Sequence, residues 1–251
     1  MAASTTKVAL VTGAGKRRLG NAVACALAER GYSIVVHYRR SAADAAATVA
    51  QLGSRGTKAV AIEADVADEA QVERLVRRSL DEFGRLDVLV NTAAIWQPRP
   101  LEQVTAADVR RHFEANTLGT FLCSRLVGLQ MVRQPEGGSI VTVGEWAIER
   151  PYLNYAAYFV SKGAMPTLTR TLAVELGGRN PRVRVNCIMP GPVMLPDAMP
   201  PAERDAVVAS TLVKRAGQPA DFVQAVAFLV ENDFVTGTCV TVDGGRTVLG
   251  S

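Results

Sequence analysis

Apolar runs rich in β-branched residues recur along the chain as KVALVTG, SIVVHYR, KAVAIEADV, LDVLVNTAA, GSIVTVG, RVRVNCIMPG and TCVTVDGG. Segments of helical periodicity separate them: NAVACALAERG, SAADAAATVAQLGSRG, EAQVERLVRRSLDEFG, a stretch from Ala106 to Val132 and another from Ala156 to Glu175. Strands that are apolar at every position, rather than at every second one, are buried on both faces. The alternation therefore predicts an α/β fold, a doubly wound parallel sheet with helices on both faces. The 251 residues, 48% of them hydrophobic, suffice for one large domain spanning 1–251, and no repeat or linker divides them.

The formal charge of +4 does not point to nucleic acid, because the basic residues form no tail or long run. Two short clusters, Lys16-Arg17-Arg18 and Arg39-Arg40, matter more than the total. Cys25, Cys123, Cys187 and Cys239 lie far apart, without CxxC spacing, and read as reduced, buried thiols. With two histidines only, no metal site is expected. MAASTTKVALVTG leads straight into a strand with no signal or membrane-spanning segment, so a soluble cytoplasmic protein is expected.

Folds of this class bind ligands beyond the carboxyl ends of their strands, which directs attention to the residues that follow each strand. After the first comes VTGAGKRRLGNAVA, a glycine-rich turn opening a helix; this suits a pyrophosphate held by backbone N–H groups, with Gly13 and Gly20 permitting close approach. The second strand ends in His37-Tyr38-Arg39-Arg40-Ser41, where NAD-binding folds place an acidic residue on the ribose hydroxyls. Two arginines and a serine suit a 2′-phosphate instead, so NADP(H) is the expected cofactor. One or more of Lys16, Arg17 and Arg18 adds a further cation or remains a solvated turn. Asp65, followed by Val66, accepts from the adenine amino group or caps the next helix.

Tyr158 and Lys162 are four residues apart and share one helix face. A lysine cation beside a phenol, which titrates near ~10, favours the phenolate and eases proton transfer. Tyr158 is thus the expected catalytic tyrosine, with Tyr152 and Tyr155 left to core or pocket-wall packing.

With these residues in place, the whole chain resembles the short-chain dehydrogenase/reductase family. The resemblance rests on the glycine turn, Asp65, Asn91-Thr92-Ala93, Asn116, the Tyr158-Phe159-Val160-Ser161-Lys162 spacing, Pro190-Gly191 and Val242-Asp243-Gly244-Gly245, in that order. It implies a Rossmann-like fold, a homotetramer and a small-molecule substrate. It further implies that Asn91 shapes the nicotinamide side, that Asn116 holds a water linked to Lys162, and that Lys162 orients the nicotinamide ribose. A narrower likeness to pteridine and dihydropterin reductases is carried by Lys16-Arg17-Arg18-Leu19-Gly20, by HYRRSAADA from His37, and by the acidic Glu145. The loop PGPVMLPDAMPPA, within a substrate region of about 190–215, places Val193 and Met194 against the substrate.

The family's catalytic serine stands thirteen residues before the tyrosine, and Glu145 occupies that station. An ionised carboxylate only accepts hydrogen bonds; protonated, it donates, and beside a basic ring nitrogen it acts as acid or anchor. Its competing role is a loop residue paired with Arg150. Two further departures are visible: Gly20 lies seven positions after Gly13 rather than six, with an arginine in place of the middle glycine, and Ile95 stands where pteridine reductases place a stacking aromatic. Trp96 either takes over that stacking or forms a rim. Three functions compete: NADPH-dependent reduction of a pteridine, favoured by Glu145; NADPH-dependent reduction of a 3-oxoacyl or small ketone, favoured by Ile95; and non-catalytic NADPH binding, suggested by the altered turn and by Pro166 inside a helix.

Overall fold

A computed structural model describes residues 6–249. Seven parallel strands, β1 (Val8–Thr12), β2 (Ser33–Tyr38), β3 (Ala59–Glu63), β4 (Val88–Asn91), β5 (Gly138–Val143), β6 (Val183–Pro190) and β7 (Cys239–Val242), form one sheet in the order β3-β2-β1-β4-β5-β6-β7. The order reverses direction between β1 and β4, whose registers pair Val11 with Val90 and Thr12 with Asn91. Chains leaving these two strands turn to opposite sides and open a crevice there, the usual ligand position in such folds.

Helices α1 (Leu19–Glu29), α2 (Ala42–Gly53) and α9 (Pro219–Glu231) contribute to one core, and α3 (Glu69–Phe83), α5 (Gly119–Val132) and α7 (Met165–Gly177) to the other. The remaining helices are α4 (Ala106–His112), α6 (Ala156–Gly163) and α8 (Pro201–Ala209). Side chains of β1 show why no position in a central strand is polar-facing. Val8 and Leu10 join Leu75, Val127, Met131 and Leu172, whereas Ala9 and Val11 join Val23, Leu27, Phe222 and Val226. Each fully buried Leu or Phe side chain contributes about 1.5–3 kcal/mol, so the two cores make the sheet the fixed frame of the site.

Three sequence expectations change. The helix expected from Ala156 to Glu175 is two helices, because the turn at Ala164 ends α6 and Pro166 falls in the first turn of α7. There a missing N–H costs nothing, so Pro166 begins a helix instead of kinking one. The stretch from Ala106 to Val132 contains a π-helical segment at Phe113–Leu118, which carries Asn116. Asp65 does not cap α3; Asp68 does, its side chain accepting from Gln71 N at 3.1 Å. Among the described residues no helix is long and apolar enough to cross a membrane.

The glycine turn is anchored from beneath by His37, 2% exposed at the end of β2. Its Nδ1 accepts from Gly13 N and its Nε2 donates to Ala64 O, both at 3.0 Å, a pairing that requires the neutral Nε2–H tautomer. Burial holds its pKa down at about 4, against an ordinary 6.5. The unfolded chain therefore binds an extra proton between those values, so this contribution to stability is complete above about 6.5 and is lost as pH falls toward 4. Thermal unfolding from pH 8 to pH 4 should show that decline, and His37→Phe, which strands the Gly13 N–H at a cost of about 1–3 kcal/mol, should flatten it.

Candidate active site

The turn between β1 and α1 owes its shape to three glycines. Gly13 has φ +68°, and a Cβ there would lie 2.9 Å from Ala93 Cα; at Gly20 it would lie 2.8 Å from the Gly13 carbonyl oxygen. Gly15, which the sequence analysis passed over, is as confined: its Cβ would meet Ser41 Oγ at 2.7 Å and Tyr38 Cβ at 2.9 Å. The backbone thus presses directly against the segments after β4 and β2. Thr92 donates to the Thr12 carbonyl, and Ala93 N donates to Thr12 Oγ1 at 3.1 Å, fastening the β4 end to the turn. Arg18 has extended backbone with negative φ, which any residue adopts, and this explains why an arginine serves where the family pattern has glycine.

Helix α1 has no side-chain N-cap bond and no acidic residue in its first turn. Its open N–H groups and the positive end of its dipole face the crevice, with the exposed Lys16, Arg17 and Arg18 alongside and Leu19 half-buried. Around the far rim, Arg39 and Arg40 are exposed, Tyr38 and Ser41 half-buried. Asp65 accepts from Ala67 N at 3.1 Å and meets Arg39 Nη1 at 3.4 Å. Val66 is buried, packed under Gly119 of α5. This glycine cradle, uncapped helix and cationic rim fit a dinucleotide whose phosphates lie over the turn.

At the other end of the crevice, Tyr158 of α6 donates its phenolic hydrogen to Glu145 Oε2 at 2.7 Å. Glu145 also caps the 3₁₀ turn Trp146–Ile148 by accepting from Ala147 N. Arg150 takes no part; it donates to the carbonyls of Arg246 and Leu249. The loop role proposed for Glu145 therefore gives way to a direct bond with the tyrosine. Burial raises the Glu145 pKa, against the lowering effects of the Tyr158 bond and the Lys162 charge. Tyr158 is raised well above the ordinary phenol value, first by burial and then by the Glu145 charge and hydrogen bond. Lys162, expected to ease the phenol toward ionisation, is outweighed in this arrangement by burial and by Glu145. Lys162 Nζ donates to the Val143 carbonyl at 2.7 Å, and burial lowers its own pKa.

Asn116 is fully buried. Its Oδ1 accepts from Ile95 N at 2.8 Å, and its Nδ2 donates to Ile95 O at 3.1 Å and Ser161 Oγ at 3.0 Å. It pins the loop after β4 to the helix of Tyr158. Asn91 does not reach the crevice: it is 3% exposed and donates to Ser124 Oγ at 3.0 Å on the α5 side. Strand alternation turns it to that face. Val193 is likewise a core residue, packed with Ile188 and Phe222, not a substrate contact, whereas Met194 is exposed. Pro190 is buried at the β6 end, and Gly191 N donates to Val242 O at 2.9 Å.

An aromatic wall surrounds the Tyr158–Glu145 pair. Trp96, 48% exposed, stacks on Tyr155 with centroids 5.0 Å apart and an interplanar angle of 12°, while Ile95 is half-buried beside it. Tyr152 meets Tyr155 and Phe159 edge-on at 5.2 and 4.8 Å, and the Arg246 guanidinium lies 4.5 Å over the Trp146 ring. Tyr152 and Tyr155 take the core or pocket-wall packing expected of them, whereas Trp146 and Arg246 were not picked out from sequence; for Trp146 the run of aromatics to Phe159 was the available signal.

Residues 13–247 match the family described as Enoyl-(Acyl carrier protein) reductase. An uncharacterized oxidoreductase of Methylorubrum extorquens is 38% identical over 246 residues, covering 95% of this chain and 97% of that protein. A 3-oxoacyl-[acyl-carrier-protein] reductase of Synechocystis is 34% identical, covering 99% and 100%. The crystal structure of a putative gluconate dehydrogenase from Agrobacterium tumefaciens superposes with a TM-score of 0.89 at 32% identity, with 97% of each chain covered. With the family model spanning residues 13–247 and relatives matched over nearly the whole chain, the chain belongs to the short-chain dehydrogenase/reductase family of nicotinamide-dependent oxidoreductases.

Proposed function

We propose that the protein reduces a carbonyl compound with NADPH. The observation that carries this reading is the 2.7 Å bond between Tyr158 and Glu145, a buried proton-bearing pair set at the strand ends beside the dinucleotide cradle. The relatives named as 3-oxoacyl-[acyl-carrier-protein] reductases favour a carbonyl over the pteridine suggested by Glu145 alone. The pteridine reading takes second place, supported by the acidic Glu145 and the Trp96–Tyr155 stack.

When bound, the cofactor supplies hydride to the carbonyl carbon. The protein's task is to deliver one proton to the oxygen and to hold the substrate in place. Tyr158 passes that proton and Glu145 governs it: a protonated Glu145 no longer takes the phenolic hydrogen, so the phenol donates to the carbonyl oxygen and is reprotonated from the carboxyl. Lys162, fixed by the Val143 carbonyl, supplies positive charge beneath the pair, and Asn116 holds the loop and helix that bring Ile95 and Tyr158 together. Arg39, Arg40 and Ser41 receive the 2′-phosphate, for which Arg39 releases its exposed contact with Asp65.

Tyr158→Phe should abolish turnover while leaving NADPH affinity within a factor of about two, since the lost hydroxyl does proton work and little binding. Initial rates and NADPH fluorescence titration measure the two quantities; unchanged turnover would reject the role. If protonated Glu145 is the working form, turnover should fall as pH rises through its raised pKa, and Glu145→Gln, which keeps a donor that does not titrate, should lose that limb of the pH–rate profile.

Charge-assisted phosphate bonds contribute about 1.5–3 kcal/mol each, so replacing Arg39 and Arg40 by alanine should raise the KM for NADPH by about tenfold or more and leave NADH unaffected. Equal effects on both coenzymes would refute the assignment. A panel containing dihydrobiopterin, small ketones and a 3-oxoacyl thioester, read by NADPH oxidation, separates the two substrate classes.

Exposed Leu118, Phe121, Val160 and Val174 on neighbouring helices support assembly as a homotetramer. Light scattering should return four times the 26.7 kDa of one chain, and a monomer would refute it.

A further inference from the structure

Arg246 is a cation without an assigned partner. Its guanidinium carbon lies 4.5 Å over the Trp146 ring centroid, and among the described residues it forms no ion pair and donates no side-chain hydrogen bond. The side chain is half-buried, and burial lowers its pKa, with Tyr152 and Glu145 the acidic groups that act on it most. None of its nitrogens is sealed from solvent, so five N–H donors without a protein partner among the described residues are open to an arriving anion.

The segment that bears Arg246 is built to hold it there. Asp243 is 7% exposed; its carboxylate accepts from Gly245 N at 2.8 Å, and from Thr247 N and Thr247 Oγ1, both at 2.6 Å. Arg150 grips the same segment through the carbonyls of Arg246 and Leu249. Trp146 is 7% exposed and adjoins Glu145, so the guanidinium is fixed beside the proton-donating pair, at one end of the aromatic wall. Glu145 acts on it through its charge but makes no direct ion pair with it among the described residues; its two oxygens accept from Tyr158 and from Ala147 N.

We propose that Arg246 receives a carboxylate of the substrate, and that the preferred substrates are oxo acids: carbonyl compounds that carry a carboxylate near the carbonyl. This inference rests on the carbonyl-reductase reading and names the substrate class of that site. The planar fork of the guanidinium binds a carboxylate through two parallel bonds, while the Trp146 ring, 4.5 Å away, keeps the side chain over that end of the wall. A neutral ketone gains nothing from this residue and leaves its donors unpaired.

The test compares acids with their methyl esters: acetoacetate with methyl acetoacetate, and phenylglyoxylate with methyl phenylglyoxylate, in the full-length wild type, Arg246→Gln and Arg246→Lys. Wild type should favour the acid of each pair by about tenfold or more in kcat/KM, the discrimination expected of one bidentate charge-assisted contact. Arg246→Gln should lose that preference through KM for the acid and keep ester turnover within about twofold, with Arg246→Lys intermediate. Equal use of acid and ester by wild type, or parallel losses on both in Arg246→Gln, would overturn the proposal and leave the reductase reading standing. If wild type reduces neither, the reductase reading fails. Tryptophan fluorescence with NADPH present then decides the anion site: saturable binding of phenylglyoxylate lost in Arg246→Gln sustains it, and no binding overturns it.

Discussion

The constraint on which the rest depends is that a parallel sheet must be covered on both faces. Each crossover from one strand to the next passes through a helix, and helices on both sides require the strand order to reverse once. In this chain the reversal falls between β1 and β4, so the turns after these strands diverge and leave backbone groups facing an open crevice. The glycine turn, the Thr92–Ala93 clamp and the Tyr158–Glu145 pair all lie at that end of the sheet. The cores on either side keep the strand ends rigid while the loops carry the chemistry.

Within the crevice, electrostatics separates two regions. The coenzyme rim is solvated and positive, where Arg39 and Asp65 meet with side chains 43% and 36% exposed, so its charges are exchangeable. The Tyr158–Glu145 pair is buried, and there a low-dielectric setting makes ionisation costly for both members. With phenol and carboxyl both protonated the pair is neutral and meets that cost, whereas loss of one proton leaves a single negative charge that the Lys162 charge opposes. A serine at position 145 would add no titrating group, whereas glutamate places a titrating carboxyl at the same station, bonded to Tyr158. The Lys162 charge remains close enough to oppose part of the rise at Glu145, although its amino group is bonded to Val143 O.

Much of the fold was readable from sequence because its signals are local. β-branched runs identify buried strands, and the spacing of Gly13 and Gly20 identifies the turn. Four-residue spacing places Tyr158 and Lys162 on one helix. The errors arose where a neighbour distant in sequence decides direction. Asn91 follows the strand alternation into Ser124, and Val193 is buried in the core that holds Ile188 and Phe222. Pro166 looks like a helix breaker until Ala164 is known to end one helix and Met165 to begin another. Gly15 needs a glycine because of Ser41 and Tyr38, both far along the chain.

The sequence by itself determined the class of fold, the position of the glycine turn and the placing of Tyr158 and Lys162 on one helix, because periodicity, turn chemistry and short helical spacing act within a few residues. Tertiary structure alone decided where each polar group points. It joined Glu145 to Tyr158, sent Lys162 to a backbone carbonyl, and brought Arg246 from the far end of the chain over Trp146. Hydrogen bonds and cation–π contacts depend on distances of a few ångströms and on direction, and packing of the two cores sets both.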